Sequence, residues 1–347
     1  MERNVKKLKV AVIGCGRISA RHMSSAKILS EYADLVAVCD IKKEVADEAA
    51  KKYEAKAYYD YKELIDTEEL DVIHICLPHY LHMPVAKYAI ERGVKVLTEK
   101  PMGIDFESAE EVVKLAEEKN VLFGVIFQCR YNNSAQLVKR VVSEGKLGKI
   151  LSAHSTLTWS RSDDYYSLSD WKGTWDKEGG GVIIDQAIHS IDLANWIINS
   201  EVESISCTIN NRAHKIVKVE DTGEGLIKYK NGTQYSFYCM NNYAFDEPIE
   251  IKLFCEKGKV VFSYNDAYVY YNDGTTEEAH QDKVTRDIKD GKDYWGYQHV
   301  NQIEEFYKAA LGLTTFSVTG KEALKTHKLI CEIYKKGKET FKVWKLV

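Results

Sequence analysis

Along the first third of the chain, short apolar runs alternate with stretches of helical periodicity. Leu8–Ile13, Asp34–Cys39, Val72–Leu77, Lys95–Thr98 and Val121–Ile126 read as strands. Between them, Arg17–Ser30 and Lys43–Tyr53 carry helix-period patterns, and Pro84–Arg92 opens with proline in its first turn. Ser108–Glu118 repeats apolar residues at Ala109, Val112, Val113 and Ala116. Strands that alternate with helices in this way predict an α/β domain with a doubly wound parallel sheet of the Rossmann type.

The pattern changes near residue 125, and no low-complexity linker marks the change. Lys149–Trp159, Ser204–Arg212, Gly225–Tyr229, Thr233–Met240, Ile249–Cys255 and Lys259–Tyr264 are strand-like, with few helices between them. Asn231-Gly232 and Asn272-Asp273-Gly274 are turn signals of the kind that close hairpins. Helices are expected near Gly181–Ile198, Gln298–Leu311 and Lys321–Lys335. The expectation is therefore a Rossmann domain over 1–125, then an α+β domain over 126–347 with an open, mostly antiparallel sheet.

At 347 residues the chain is too long for one small core. Charged residues make up 29%, hydrophobic residues 45%, and there are only 4 Pro, a composition that argues for well-packed globular domains. A formal net charge of −4 offers no general field for nucleic acid or an anionic membrane, so neither is an expected partner and a small molecule is. The 8 cysteines form no C-x-x-C pair and read as reduced core thiols. The apolar run Val10–Ile13 is too short for a signal peptide, and no stretch reaches a membrane span, so the expected location is cytoplasmic.

Gly14-Cys15-Gly16-Arg17-Ile18-Ser19 follows the first strand and opens a helix, the context in which a dinucleotide-binding glycine motif is meaningful. Gly14 makes the tight turn, Gly16 lets a pyrophosphate approach the backbone, and Ser19 stands small in place of the third glycine. Asp40 ends the second strand, where a carboxylate accepts hydrogen bonds from an adenosine ribose and repels a 2′-phosphate. This favours NAD, while Lys42 and Lys43 keep NADP open.

Thr98-Glu99-Lys100-Pro101 follows the fourth strand, and Gly179-Gly180-Gly181 precedes Asp185 and His189 on a helix. Together with the glycine motif and the Pro78/His82 pair, these residues resemble the Gfo/Idh/MocA oxidoreductases over nearly the whole chain. The resemblance implies NAD(P)-dependent hydride transfer on sugars, cyclitols or glycosides, and homodimers or homotetramers built through the second domain's sheet. It assigns Gly14, Gly16, Arg17, Ile18, Asp40, Pro78, His82, Glu99 and Lys100 to the cofactor. Lys100, Asp185 and His189 become the catalytic and substrate-binding set. An ammonium can stabilise developing alkoxide charge, and an imidazole suits general-base work near neutral pH.

Asp185, His189, Asp192 and Trp196 fall on one stripe of the expected helix. The stretch Trp159–Trp175, with Tyr165, Trp171, Arg161 and Lys172, suits a sugar ring, although core packing accounts for some of it equally well. Tyr165, Trp171 and Arg130 are taken as substrate-contact candidates. His22, His74, His154, His214 and His327 fit no motif and are read as packed or solvated. The alternatives are a nonenzymatic dinucleotide-binding sensor and a metal hydrolase built on Asp185, His189 and Asp192. No further ligand spacing supports the second, so no metal is expected. Tyr58-(x)3-Lys62 and Tyr334-(x)3-Lys338 match the short-chain dehydrogenase pair, but at the wrong places in the chain.

Overall fold

Six parallel strands make the first sheet, in the order β3-β2-β1-β4-β5-β6. They are β1 (Leu8–Ile13), β2 (Ala33–Cys39), β3 (Lys56–Tyr58), β4 (Val72–Ile75), β5 (Lys95–Thr98) and β6 (Phe123–Val125). The computed structural model describes residues 7–281 and 298–344. The strand order reverses between β1 and β4, the switch point beyond whose carboxyl edge open α/β sheets bind ligands. The connecting helices are α1 (Ser19–Ile28), α2 (Lys43–Tyr53), α3 (Tyr61–Thr67), α4 (His79–Glu91) and α5 (Phe106–Lys119).

Three local features depart from the pattern-based reading. Strand β3 has three residues, too few to show a period. Helix α3 follows it and carries a legible start signal, since the Asp60 side chain accepts the N–H groups of Lys62 and Glu63. Helix α4 begins at His79, so Pro84 lies inside it rather than in its first turn. The ring deprives the Tyr80 carbonyl of its helical partner, at a residue that is only half-buried.

A pattern-based division at 125 assigns the helix α9 (His299–Ala310) to the second domain. In the structure, α9 and the chain up to Leu324 belong with residues through Gln128 as one compact unit. The reason is a polar one. Gln302 on α9 accepts the Phe127 N–H through Oε1 at 3.0 Å and donates Nε2–H to the Val125 carbonyl at 2.8 Å. It thereby satisfies buried backbone at the exposed edge of β6, as a further strand would. Phe306 and Phe316 close over Gly124, where any side chain would strike their rings.

The second unit contains α6 (Asn133–Ser143), β7 (Ile150–Thr158), α7 (Asp163–Ser167), a wide π-helical turn (Ile183–Ala187) and α8 (Ile188–Ile198). The strands β8 (Val202–Asn211), β9 (Thr222–Tyr229), β10 (Gln234–Met240), β11 (Glu250–Cys255), β12 (Gly258–Phe262), β13 (Asp266–Tyr271) and β14 (Thr276–His280) follow. Beyond α10 (Gly320–Gly337), β15 (Lys342–Val343) completes a nine-stranded sheet in the order β14-β13-β12-β11-β7-β10-β9-β8-β15. The sheet is mostly antiparallel, but β7 pairs β10 and β8 pairs β15 in parallel. Strands β13 and β14 escaped the pattern because Glu277, Glu278 and exposed tyrosines dilute their alternation on an edge. Helices α6 and α8 pack on one face of this sheet, and the other leaves Leu226, Phe254, Tyr268 and Tyr270 exposed. All eight cysteines are free thiols. Among the described residues no helix is long and apolar enough to cross a membrane.

Replacing Gln302 with Leu keeps the volume but orphans two buried backbone groups, each costing about 1–3 kcal/mol. Urea unfolding should show a loss of about 2 kcal/mol or more, and an unchanged midpoint would contradict this account of α9.

Candidate active site

In the first unit, β1 ends at Ile13 and the chain turns through Gly14 at φ +92°. A side chain there would collide with the Cys76 carbonyl, so glycine is required twice over. The Gly14 N–H donates to the Cys39 carbonyl at 2.7 Å. A Cβ on Gly16 would meet no protein atom, which leaves the backbone open to a ligand. Arg17 is exposed and Ile18 half-buried beside it. Ser19 is fully buried and donates its hydroxyl to the Gly16 carbonyl at 2.5 Å, holding the turn against α1. Asp40 braces the same turn, accepting the Cys15 N–H on Oδ2 and the Lys42 N–H on Oδ1, both at 2.9 Å. A carboxylate has about four lone-pair directions, so capacity remains for ribose hydroxyls.

At the end of β5, Glu99 is buried and sits at the centre of a histidine network. His22 Nε2 and His299 Nε2 approach its Oε1 at 3.0 and 3.1 Å. His22 Nδ1 meets His74 Nδ1 at 2.8 Å, and Tyr307 OH reaches His74 Nε2 at 3.2 Å. The Lys100 N–H donates to Oε2 at 3.1 Å. One consistent set of neutral tautomers passes each proton toward Glu99: Tyr307 to His74, His74 to His22, His22 to the carboxylate. Burial disfavours the Glu99 charge, but hydrogen bonds from His22 and His299 win and hold its pKa well below the usual carboxylate range. Burial pulls His74 and His299 below the ordinary histidine value. The three ligand atoms of His22, Glu99 and His299 lie within 4.8 Å of one another, a spacing that a metal ion could also use.

In the second unit the chain reaches the turn that carries Asp185 through three glycines with different duties. Gly179 takes φ +88°. A side chain on Gly180 would overlap the Tyr334 hydroxyl, and one on Gly181 would overlap the Glu220 carbonyl. Only one of the three is therefore needed for backbone freedom, and the other two for close approach. Glu220 accepts the Gly181 N–H at 2.9 Å, the Ile183 N–H at 3.1 Å and the Tyr334 hydroxyl at 2.7 Å. The Ile184 N–H in turn donates to the Tyr334 oxygen at 3.1 Å. The orphan donors of a helix start are thus satisfied by one carboxylate and one phenol.

Asp185 lies in the π-helical turn and His189 in the first turn of α8, so the single regular helix expected for both is corrected. Asp185 Oδ2 accepts from Gln186 Nε2 at 2.6 Å, Lys172 Nζ at 2.9 Å and Tyr165 OH at 3.2 Å. The His189 ring stands edge-on to Tyr264 at 6.4 Å. Trp171 and Tyr165 flank Lys172, whose ammonium lies 4.6 and 5.0 Å from their ring centres. Burial works against the Lys172 charge, but Asp185, Tyr165 and Glu178 raise its pKa well above the usual value.

Residues 8–127 match the model of an oxidoreductase family with an NAD-binding Rossmann fold, and residues 135–261 match the GFO/IDH/MocA C-terminal domain. The chain belongs to the Gfo/Idh/MocA family. Within that family it is 25% identical to the levoglucosan dehydrogenase of Pseudarthrobacter phenanthrenivorans, over 75% of this chain and 74% of that one. It is likewise 25% identical to the inositol 2-dehydrogenase of Salmonella typhimurium, over 72% of each chain. The WlbA dehydrogenase of Bordetella pertussis, solved with NADH and UDP-GlcNAcA, superposes with a TM-score of 0.85 at 25% identity, covering 96% of this chain and 98% of that one.

Two of the candidate residues have structural employment in this Gfo/Idh/MocA chain. Arg130 was a substrate candidate, but it is buried and pairs with Asp192 through Nε at 2.8 Å and Nη2 at 2.7 Å. This pairing also removes Asp192 from the catalytic stripe. His82 was assigned to the cofactor, but its two ring nitrogens face the Leu77 and Pro101 carbonyls, both at 2.7 Å, and it braces the loop after Lys100. Pro78 serves as the N-cap of α4. Sequence reasoning missed Glu178, Gln186 and Glu220, and found Tyr334 only as a false motif. It also set aside His22 and His74, which surround Glu99. None carries a local signal, because each meets its partner through tertiary packing.

Burial pushes the Glu220 carboxyl up to about 7, against the hydrogen bonds it accepts from Tyr334, Ile183 and Gly181. An acid raised on folding contributes stability that is complete below its unfolded value of 4.5 and lost as pH rises through about 7. Melting temperatures measured from pH 5 to 8 should therefore fall less steeply in Glu220→Gln than in the parent, and equal slopes would contradict the assignment.

Proposed function

We propose that this chain catalyses NAD-dependent oxidation of a secondary alcohol on a polyhydroxylated ring, a sugar, cyclitol or glycoside, or the reverse reduction of the ketone. The observation that carries this reading is the Asp185 carboxylate, oriented by Lys172, Gln186 and Tyr165 and placed four residues before His189, in a chain whose two halves both match the family. Relatives named for levoglucosan, inositol and D-glucoside oxidation support the substrate class. A nonenzymatic dinucleotide-binding sensor would have no use for such an oriented carboxylate and imidazole.

The turn through Gly14 and Gly16, open at Gly16 and braced by Asp40, fits NAD. When bound, NAD supplies the hydride acceptor at the nicotinamide C4. His189 takes the hydroxyl proton as general base, and Asp185 stabilises the imidazolium that results. The Lys100 ammonium hydrogen-bonds the substrate oxygen and stabilises its developing negative charge. Tyr165 and Trp171 offer ring faces to the sugar. The Asp40 carboxylate favours NAD over NADP by repelling a 2′-phosphate.

Lys100→Ala and His189→Ala should each lower turnover by roughly 10²-fold or more while NADH binding survives. A panel of sugars, cyclitols and glycosides, assayed with NAD and NADP, should give stereoselective turnover and prefer NAD. Near-normal turnover in both variants, or a preference for simple aliphatic alcohols, would sink this reading.

The exposed face of the large sheet, with Leu226, Phe254, Tyr268 and Tyr270, supports a homodimer or homotetramer formed through it. Light scattering should give a dimer or tetramer that Phe254→Glu/Tyr268→Glu reduces to monomer; a monomeric parent would refute this. Eight cysteines held as thiols favour the cytoplasm as its location.

A further inference from the structure

We propose that Lys172 is a positioning residue of the reaction, which fixes the Asp185 carboxylate for its work on His189. This rests on the reading of Lys100, Asp185 and His189 given above. Lys172 leaves only 16% of its side chain exposed, and an ammonium so far out of water is retained only where carboxylates meet it. It contacts Asp185 Oδ2 at 2.9 Å and Glu178 Oε1 at 3.5 Å, and its ammonium lies over the rings of Trp171 and Tyr165.

Those distances define a division of labour. Asp185 receives Lys172, Tyr165 and Gln186 on one oxygen, so its plane and direction are set from outside α8. Glu178 is wholly buried and accepts the Gly173 N–H, which anchors the loop that carries Lys172. Burial pushes the Glu178 carboxyl up to about 8, with Lys172 opposing the rise and Asp185 adding to it. Lys172 is closer to Asp185 Oδ2, at 2.9 Å, than to Glu178 Oε1, at 3.5 Å, so its main partner is Asp185. Among the described residues, the titratable groups facing Lys172 include Asp185, Glu178, Tyr165 and Tyr166. Arg161 stands behind the Tyr165 ring and is paired to Asp246, while Glu220 acts on Glu178 from behind.

The consequence concerns pH. Removing a cation from beside Asp185 favours protonation of that carboxylate and of the base it serves, so the acid limb that His189 sets would move up. The test uses the full chain with NAD and the best substrate of the panel. Lys172→Met should lower kcat by about tenfold or more and shift the acid limb of kcat/KM upward by about one pH unit, with NADH affinity, read by fluorescence, unchanged. Lys172→Arg, which keeps the charge, should restore most of the loss and the parental limb. In an Asp185→Asn background, Lys172→Met should add no further loss, because the carboxylate it serves is gone.

An unmoved acid limb with kcat within twofold of the parent would overturn the proposal, as would a full additional loss in the Asp185→Asn background. If Lys172→Met does not fold, the Lys172→Arg profile decides: a limb displaced as far as that of Glu178→Gln would count against a charge-holding role. Should Lys100→Ala and His189→Ala both retain turnover, the underlying catalytic reading fails. Should they lose it while the Lys172 variants behave like the parent, only this inference fails.

Discussion

Glu220 is wholly buried, and its carboxylate accepts the N–H groups of Gly181 and Ile183 and the hydroxyl of Tyr334. Nearly everything about the second unit's chemistry follows from where this side chain stands. It decides where the chain starts to wind, it forces glycine at 181 through its own carbonyl, and with Tyr334 it forces glycine at 180. Winding begins as a wide π turn, which delivers Asp185 to Lys172 and Tyr165 before α8 carries His189 onward. A buried carboxyl doing this work is costly by desolvation, and the three donors it meets are what make it tolerable.

Glu99 plays a comparable part in the first unit, with a different solution. There the donors are imidazoles from α1 and α9, chained through His74 to Tyr307. Their hydrogen bonds offset the cost of burying the carboxylate. The anion's second oxygen then holds the backbone of Lys100.

The two units thus give their buried carboxylates different partners. Glu99 is met by imidazoles, whereas Asp185 is met by a lysine. An ion pair with water largely excluded responds strongly to the loss of either charge. Arg130 and Asp192 show the purely structural limit of this case, a buried bidentate pair with Thr326 as third partner.

The sequence by itself determined the alternation of strands and helices up to β6, the glycine turn with Asp40, the order of the motifs around Lys100 and His189, and the antiparallel character of the second sheet. These are local: each depends on side-chain period, turn chemistry or short spacing, which a linear chain displays directly. Strands β3, β13 and β14 were lost where three residues or an acidic edge left no period to read. Tertiary structure alone decided that α9 joins the first unit through Gln302, that Arg130 serves Asp192, and that His82 braces backbone carbonyls. It likewise decided which members of the aromatic stretch reach Asp185, and that Tyr334 orders the catalytic turn from the last helix. The partners in these contacts include residues 62, 150 and 175 positions apart. What joins them is the need of a buried polar group to find a partner once the core has closed, and no local pattern records where that partner will come from.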